Sequence, residues 1–146
     1  MHATLHTDGG ARGNPGPAGI GVVLTGDDGA VVAEIARGLG EATNNVAEYS
    51  ALIAGLELAL EHGVSHVDVF VDSELVASQV RGEWKIRNDR LRALAVKARS
   101  IMRRFEQATI SHVRRGDNAA ADALANQGMD VAQAEGGGGT QASLLE

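Results

Sequence analysis

Two kinds of hydrophobic spacing alternate along the chain. Residues 3–8 (ATLHTD), 19–25 (GIGVVLT) and 30–38 (AVVAEIARG) carry apolar and β-branched positions at strand spacing. Between the first two, residues 9–19 (GGARGNPGPAG) have turn chemistry: glycines that tolerate positive φ and prolines unsuited to a central strand. Asp27-Asp28-Gly29 marks a hairpin before the third strand. Three strands joined by tight turns predict an antiparallel meander.

From residue 43 the spacing becomes helical. Thr43 or Asn44 can cap a helix that carries Ala47, Ala51, Ala54 and Leu58 on one side, runs to about His62 and ends at Gly63. Residues 66–71 (HVDVFV) predict a fourth strand. A short helix from Ser73 to Arg81, capped by Asp72 or Ser73, ends at Gly82. A basic helix over 89–105 follows, then a fifth strand over 108–113 and an Ala-rich helix over 118–133. The order βββαβααβα, with helices separating the later strands, predicts an α/β fold: a mixed five-stranded sheet, its last strands parallel, covered by helices. Residues 1–133 form one domain on this reading. Residues 134–146, opening on Gly136–Gly139, are a Gly-rich flexible tail or linker.

Composition narrows the class. The chain has 146 residues, one domain's worth, and is 44% hydrophobic, enough to bury a core. It has no cysteine, which excludes disulfides, thiolate zinc sites and a cysteine nucleophile. No apolar run reaches the ~18 residues of a membrane span, and the N-terminus lacks an export signal pattern. A cytoplasmic protein without a membrane partner fits, and a monomer is expected. Aromatics are only 3%, which argues against a platform of stacked aromatics for nucleic acid.

The net charge of −6 also argues against nucleic acid, but its distribution reverses that reading. Residues 81–115 hold eleven of the 13 basic residues and three acids, a net +8, against −14 elsewhere. A basic stretch in an acidic chain suggests a surface that faces a polyanion; a solvated helix face explains it equally well.

Four acids occupy revealing places. Asp8 ends the first strand, Asp72 ends the fourth, Glu48 lies near the start of the long helix, and Asp122 lies early in the last one. Sites in open α/β sheets form outside strand ends, and the first and fourth strands would be parallel neighbours. Clustered carboxylates need a counter-cation. With oxygen ligands alone that cation is hard, Mg²⁺ or Mn²⁺. A pair of such ions is suited to in-line displacement at phosphorus. Each acid alone also has a structural explanation, as turn former, helix cap, dipole partner or surface residue.

Other candidates are weaker. Residues 9–19 lack the GK[ST] of a phosphate-binding loop. Asn14, Asn44 and Asn45 carry amides suited to base edges and ribose hydroxyls, although Asn44 and Asn45 could equally cap a helix. The five histidines show no metal spacing; His6 and His112, in predicted strands, read as core or near-core, as do Phe70 and Phe105. Trp84, in the basic segment, either stacks on a sugar or base or packs between helices.

Four runs resemble the motifs of type 1 ribonuclease H: Asp8–Gly19 (DGGARGNPGPAG), Thr43–Tyr49 (TNNVAEY), Asp72–Val76 (DSELV) and Asn118–Ala125 (NAAADALA). The resemblance spans residues 3–130 and implies the ribonuclease H fold, with sheet order 3-2-1-4-5. It implies an endonuclease that cleaves the RNA strand of RNA–DNA hybrids, leaving 5′-phosphate and 3′-hydroxyl ends. Asp8, Glu48, Asp72 and Asp122 would hold two Mg²⁺ ions, with Mn²⁺ able to substitute; one ion would activate water and the other stabilise the leaving oxygen. Asn14, Asn44 and Asn45 would track the minor groove, Thr43 would hold a DNA-strand phosphate, and Gly9, Gly10 and Ala11 would approach ribose hydroxyls. Many bacterial members carry a catalytic histidine in the loop before the fourth motif. Here residues 113–118 (VRRGDN) have none. The chain looks more like the archaeal-type branch, with Arg115 three residues before Asn118. Arg115 would bind phosphate and help product leave, with Arg114 contributing to affinity. Members of this branch also act on double-stranded RNA. The alternatives are a non-catalytic hybrid-binding module on the same fold and another nuclease of the superfamily.

Overall fold

Five strands and four helices follow one another in the order that the sequence predicts. The computed structural model describes residues 1–136 in full and the backbone alone of 137–145. The elements are β1 (His2–Ala11), β2 (Gly16–Gly26), β3 (Val31–Ala42), α1 (Asn44–Glu61), β4 (His66–Val71), α2 (Glu74–Val80), α3 (Asp89–Met102), β5 (Gln107–His112) and α4 (Ala119–Leu145). A single 3₁₀ turn, Arg115–Asn118, leads into α4. The sheet order is β3-β2-β1-β4-β5. β1 pairs antiparallel with β2, which pairs antiparallel with β3; β1–β4 and β4–β5 are parallel.

Several boundaries differ from the sequence reading. β1 and β2 run into the Gly-rich segment, pairing as far as Ala11↔Ala18. Only 12–15 form the turn, which the Arg12 N–H closes onto the Pro17 carbonyl at 2.9 Å. Glycines carry no Cβ and can remain in a paired strand where other chain segments press close. The basic helix stops at Met102 rather than 105, which frees Phe105 to turn into the core. α4 starts after the 3₁₀ turn and passes the end expected at 133, since Ala134 and Glu135 are good helix formers. The expected tail lies, from residue 137 on, outside the fully described residues.

α1 is the centre of the core. Val46, Ala47, Tyr49, Ala51, Leu52, Ile53, Leu56 and Ala59 are all buried, so nearly its whole circumference is covered. It packs on β1 and β2 and is flanked by α2 and α3. Buried Leu5, Val22, Leu24, Val67, Val69 and Val71 supply the sheet side. α4 lies against β2 and β3. Its buried Ala121, Ala125, Gly128, Met129 and Ala132 are mostly small, which permits close approach. His112 is exposed rather than core, and Phe70 is only half-buried, with the half-buried His6 stacked on it at 5.3 Å. Both phenylalanine Phe70 and His6 sit on the sheet face opposite Val69 and Val71, which the strand alternation turns away from the core.

Candidate active site

Asp8 is carried on β1 opposite Gly21 of β2, and Asp72 follows the last residue of β4, the strand parallel to β1. The register Thr7↔Val71 therefore sets the two acids side by side. Two glycines let helices bring the others in. At Gly9 a Cβ would lie 2.1 Å from the Ala47 carbonyl oxygen, so α1 presses directly on β1 and delivers Glu48 beside Asp8. At Gly21 a Cβ would lie 2.0 Å from the Ala121 carbonyl oxygen, so α4 presses on β2 and delivers Asp122.

One cleft of about 560 Å³ collects these groups; Asp8, Glu48, Asp72 and Asp122 all line it, with Gly9, Gly10, Ala11, Asn44 and Arg115. Asp8, Glu48 and Asp72 each present an oxygen within 4.8 Å of the other two. Asp122 stands beside Asp8 and adds to the negative charge there.

The electrostatics are those of a site short of positive charge. Burial, reinforced by the charges of Asp72 and Asp122, pushes the Asp8 carboxyl up to about 8. Burial and the charges of Asp8 and Asp72 push Glu48 up to about 9, with Arg115 pulling weakly the other way. Asp72 Oδ2 is buried and has no hydrogen-bond partner. Arg115 Nε is 3.9 Å from it, on a side chain that is 83% exposed, and so neutralises it only partly. Buried carboxylates with an orphaned oxygen fit a hard divalent cation.

The remaining predicted residues divide. Thr43, not Asn44, caps α1: its hydroxyl accepts from the Val46 N–H at 3.2 Å. Asn44 Oδ1 accepts from the Ala11 N–H at 2.8 Å, and Asn14 Oδ1 accepts from the Asn44 N–H at 3.1 Å. The two asparagines thus join the β1–β2 turn to the start of α1. Asn14, Thr43 and Asn45 line a neighbouring hollow of about 320 Å³ with Asn88 and Arg90. Gly10 faces Met129 at the cleft floor, while Gly9 is buried under α1. Arg114 is exposed, and Trp84 is 45% exposed on the connection after α2; neither lines the carboxylate cleft.

Three further residues of the motif runs, given no site role from the sequence, support the site. Asn118 is almost fully buried and donates from Nδ2 to the Thr7 carbonyl at 2.9 Å, tying the 3₁₀ turn to the residue before Asp8. Asn118 opens the fourth motif run, four residues before Asp122. Ser73 caps α2 with its hydroxyl and lines the cleft. Arg12 also lines the cleft and reaches across to α4.

Comparisons with known proteins agree with this geometry. Residues 6–128 match the family described as reverse transcriptase-like. The chain is 47% identical over 132 residues to ribonuclease HI of Halobacterium salinarum, covering 90% of this chain and 65% of that protein. It is 46% identical over 133 residues to a bifunctional protein of Mycobacterium tuberculosis, of which it spans 36%. The ribonuclease H of Polaromonas naphthalenivorans is 35% identical, with 89% of its length covered. Among solved structures, Halobacterium salinarum RNase H1 superposes with a TM-score of 0.87 at 45% identity, covering 89% of this chain and 98% of that one. A compost-derived RNase H1 in complex with an RNA/DNA hybrid superposes with a TM-score of 0.84 at 41% identity, covering 90% and 99%. On matched sequence, sheet order and neighbours alike, the chain belongs to the type 1 ribonuclease H family.

Proposed function

We propose that this domain hydrolyses the RNA strand of RNA–DNA hybrids in a divalent-metal-dependent reaction. Water adds to phosphorus as the bond to the 3′-oxygen breaks, leaving a 5′-phosphate and a 3′-hydroxyl. The observation that carries this reading is the approach of Asp8, Glu48 and Asp72 to within 4.8 Å of one another in an open cleft. The binding of a hybrid by a relative at 41% identity supports the substrate class.

On this reading Asp8, Glu48, Asp72 and Asp122 hold two Mg²⁺ ions, with Mn²⁺ able to replace them. Bound there, the ions supply Lewis-acid stabilisation and a more acidic water. The chain's own residues do the rest. The buried floor of the cleft limits competing water around Asp8 and Asp72. Arg115, exposed at the cleft and permanently charged, meets the scissile phosphate and assists product departure. Gly10, Ala11 and the flanking Gly9 bring backbone close to ribose. Asn14, Asn44 and Asn45 read the minor groove, Thr43 with its neighbours receives a DNA phosphate, and Arg114 and Trp84 extend the contact along the duplex. Double-stranded RNA as a second substrate, a monomeric state and a cytoplasmic setting belong to the same proposal. Among the described residues no helix is long and apolar enough to cross a membrane.

The test is strand selectivity. With Mg²⁺, a hybrid labelled on either strand should lose only its RNA strand, with a 5′-phosphate on the downstream fragment. Cleavage of the DNA strand, or of an all-DNA duplex at a similar rate, would replace this reading with another nuclease activity.

A further inference from the structure

Arg12 occupies the β1–β2 turn, yet its guanidinium is engaged on α4. Nη1 is 2.6 Å from Asp130 Oδ1 and donates to Gln133 Oε1 at 2.9 Å; Nη2 donates to the Asn126 carbonyl at 3.4 Å. The same turn is held on its other side by α1, through Ala11 N–H to Asn44 Oδ1 and Asn44 N–H to Asn14 Oδ1. Residues 11–14 therefore span the gap between the helix that carries Glu48 and the helix that carries Asp122.

The turn is closed by its own backbone beside that anchorage. The Arg12 N–H bonds to the Pro17 carbonyl at 2.9 Å. A Cβ on Gly16 would lie only 2.0 Å from the Arg12 carbonyl oxygen. Moving Arg12 thus moves Asn14 and Ala11 with it. An exposed ion pair adds little to global stability, so the three contacts from Arg12 to α4 call for a role other than folding.

We propose that Arg12, latched by Asp130 and Gln133, is a positioning residue that fixes the β1–β2 turn across the mouth of the cleft and so sets affinity for the nucleic-acid duplex. The inference rests on the hybrid-cleaving reading for its substrate, but the latch itself exists in the free protein. Asp130 and Gln133 do not line the cleft, so their removal reports on the latch alone. A direct phosphate contact by Arg12 makes the opposite prediction: release from Asp130 would free the guanidinium and tighten binding.

The experiment uses Asp130→Ala and Asp130→Ala/Gln133→Ala in the full chain. In the free protein, amide hydrogen exchange over 11–16 should accelerate while β4 and α1 keep their protection. With a short RNA–DNA duplex, KM should rise about three- to fivefold, the affinity equivalent of an exposed ion pair, with kcat within about twofold. Arg12→Ala should raise KM similarly, and adding it to Asp130→Ala should add nothing. The slope of log affinity against log salt should be unchanged in all three; losing a phosphate contact would lower it by about 0.9. Unaltered exchange at 11–16, tighter binding by Asp130→Ala, or a reduced salt slope in Arg12→Ala would overturn the latch. If the wild type binds no hybrid, the functional reading fails, and the exchange measurement still decides the latch.

Discussion

A Cβ at Gly9 would lie 2.1 Å from the carbonyl oxygen of Ala47. Each of these residues is the chain neighbour of a site carboxylate, Asp8 and Glu48. The contact that packs α1 on β1 is therefore also the contact that sets the spacing between two of the acids. Gly9→Ala would force backbone apart rather than a flexible side chain. It is expected to destabilise the domain by about 3 kcal/mol and to weaken divalent-ion binding by more than tenfold. Chemical denaturation and calorimetric titration with Mn²⁺ measure the two effects.

The raised carboxyls make metal-free stability pH-dependent in an unusual direction for acids. Asp8 moves from 3.8 to about 8, and Glu48 from 4.5 to about 9. Between the ordinary and the raised values the native state holds protons that the unfolded chain has released, so stability falls as pH rises through this window. Well below these ordinary values both states are protonated and these groups no longer contribute a slope. In EDTA the melting temperature should thus decline from pH 5 to pH 9 by more than in Asp8→Asn. Asp8→Asn should also melt above the wild type at pH 8. A divalent ion should raise the wild-type melting temperature more at pH 8 than at pH 5.

Asn118 offers a structural prediction next to the chemistry. Asn118→Ala leaves the buried Thr7 carbonyl without its side-chain donor, an expected loss of about 1–3 kcal/mol. Because the 3₁₀ turn also carries Arg115, activity should fall beyond what unfolding explains. Urea denaturation together with kcat at a temperature where the variant is folded separates the two contributions.

Arg115 is the converse case. Its side chain is 83% exposed and 3.9 Å from the orphaned Asp72 oxygen. Arg115→Ala should change stability by less than about 0.5 kcal/mol. Steady-state turnover should fall about tenfold, with a smaller change in the single-turnover rate if product departure is the step served.

Much of this was legible in the sequence for identifiable reasons. Period-2 and period-3.6 spacing located every strand and helix, and the change from meander to alternating helices fixed which strands run parallel. Asp8 and Asp72 stood out because the spacing puts each at the end of a strand; Asp72 does follow the end of β4, whereas Asp8 lies within β1, which runs on to Ala11. Less legible were features set by tertiary packing. The glycines at 9, 10 and 16 read as turn formers but lie in paired strands, since what they accommodate is chain from 44–48, Met129 or the opposite side of the turn. Either Thr43 or Asn44 could cap α1 by type; the asparagine is drawn off by the Ala11 N–H 33 residues away. Arg12 looked like one more residue of a Gly-Pro turn because its partners lie more than a hundred positions later. His112 looked internal because it lies in a strand, but it is the last residue of the edge strand β5 and is exposed there although it shares a face with buried Ile110.

The most direct measurement is an Mg²⁺ titration of RNA-strand cleavage in an RNA–DNA hybrid by the wild type and Asp72→Asn, with folding of both followed by circular dichroism. Saturable, EDTA-reversible cleavage by the wild type and none by a folded Asp72→Asn is the expected result. Undiminished cleavage by Asp72→Asn, or cleavage that persists in EDTA, would show that these carboxylates do not gather metal for the reaction.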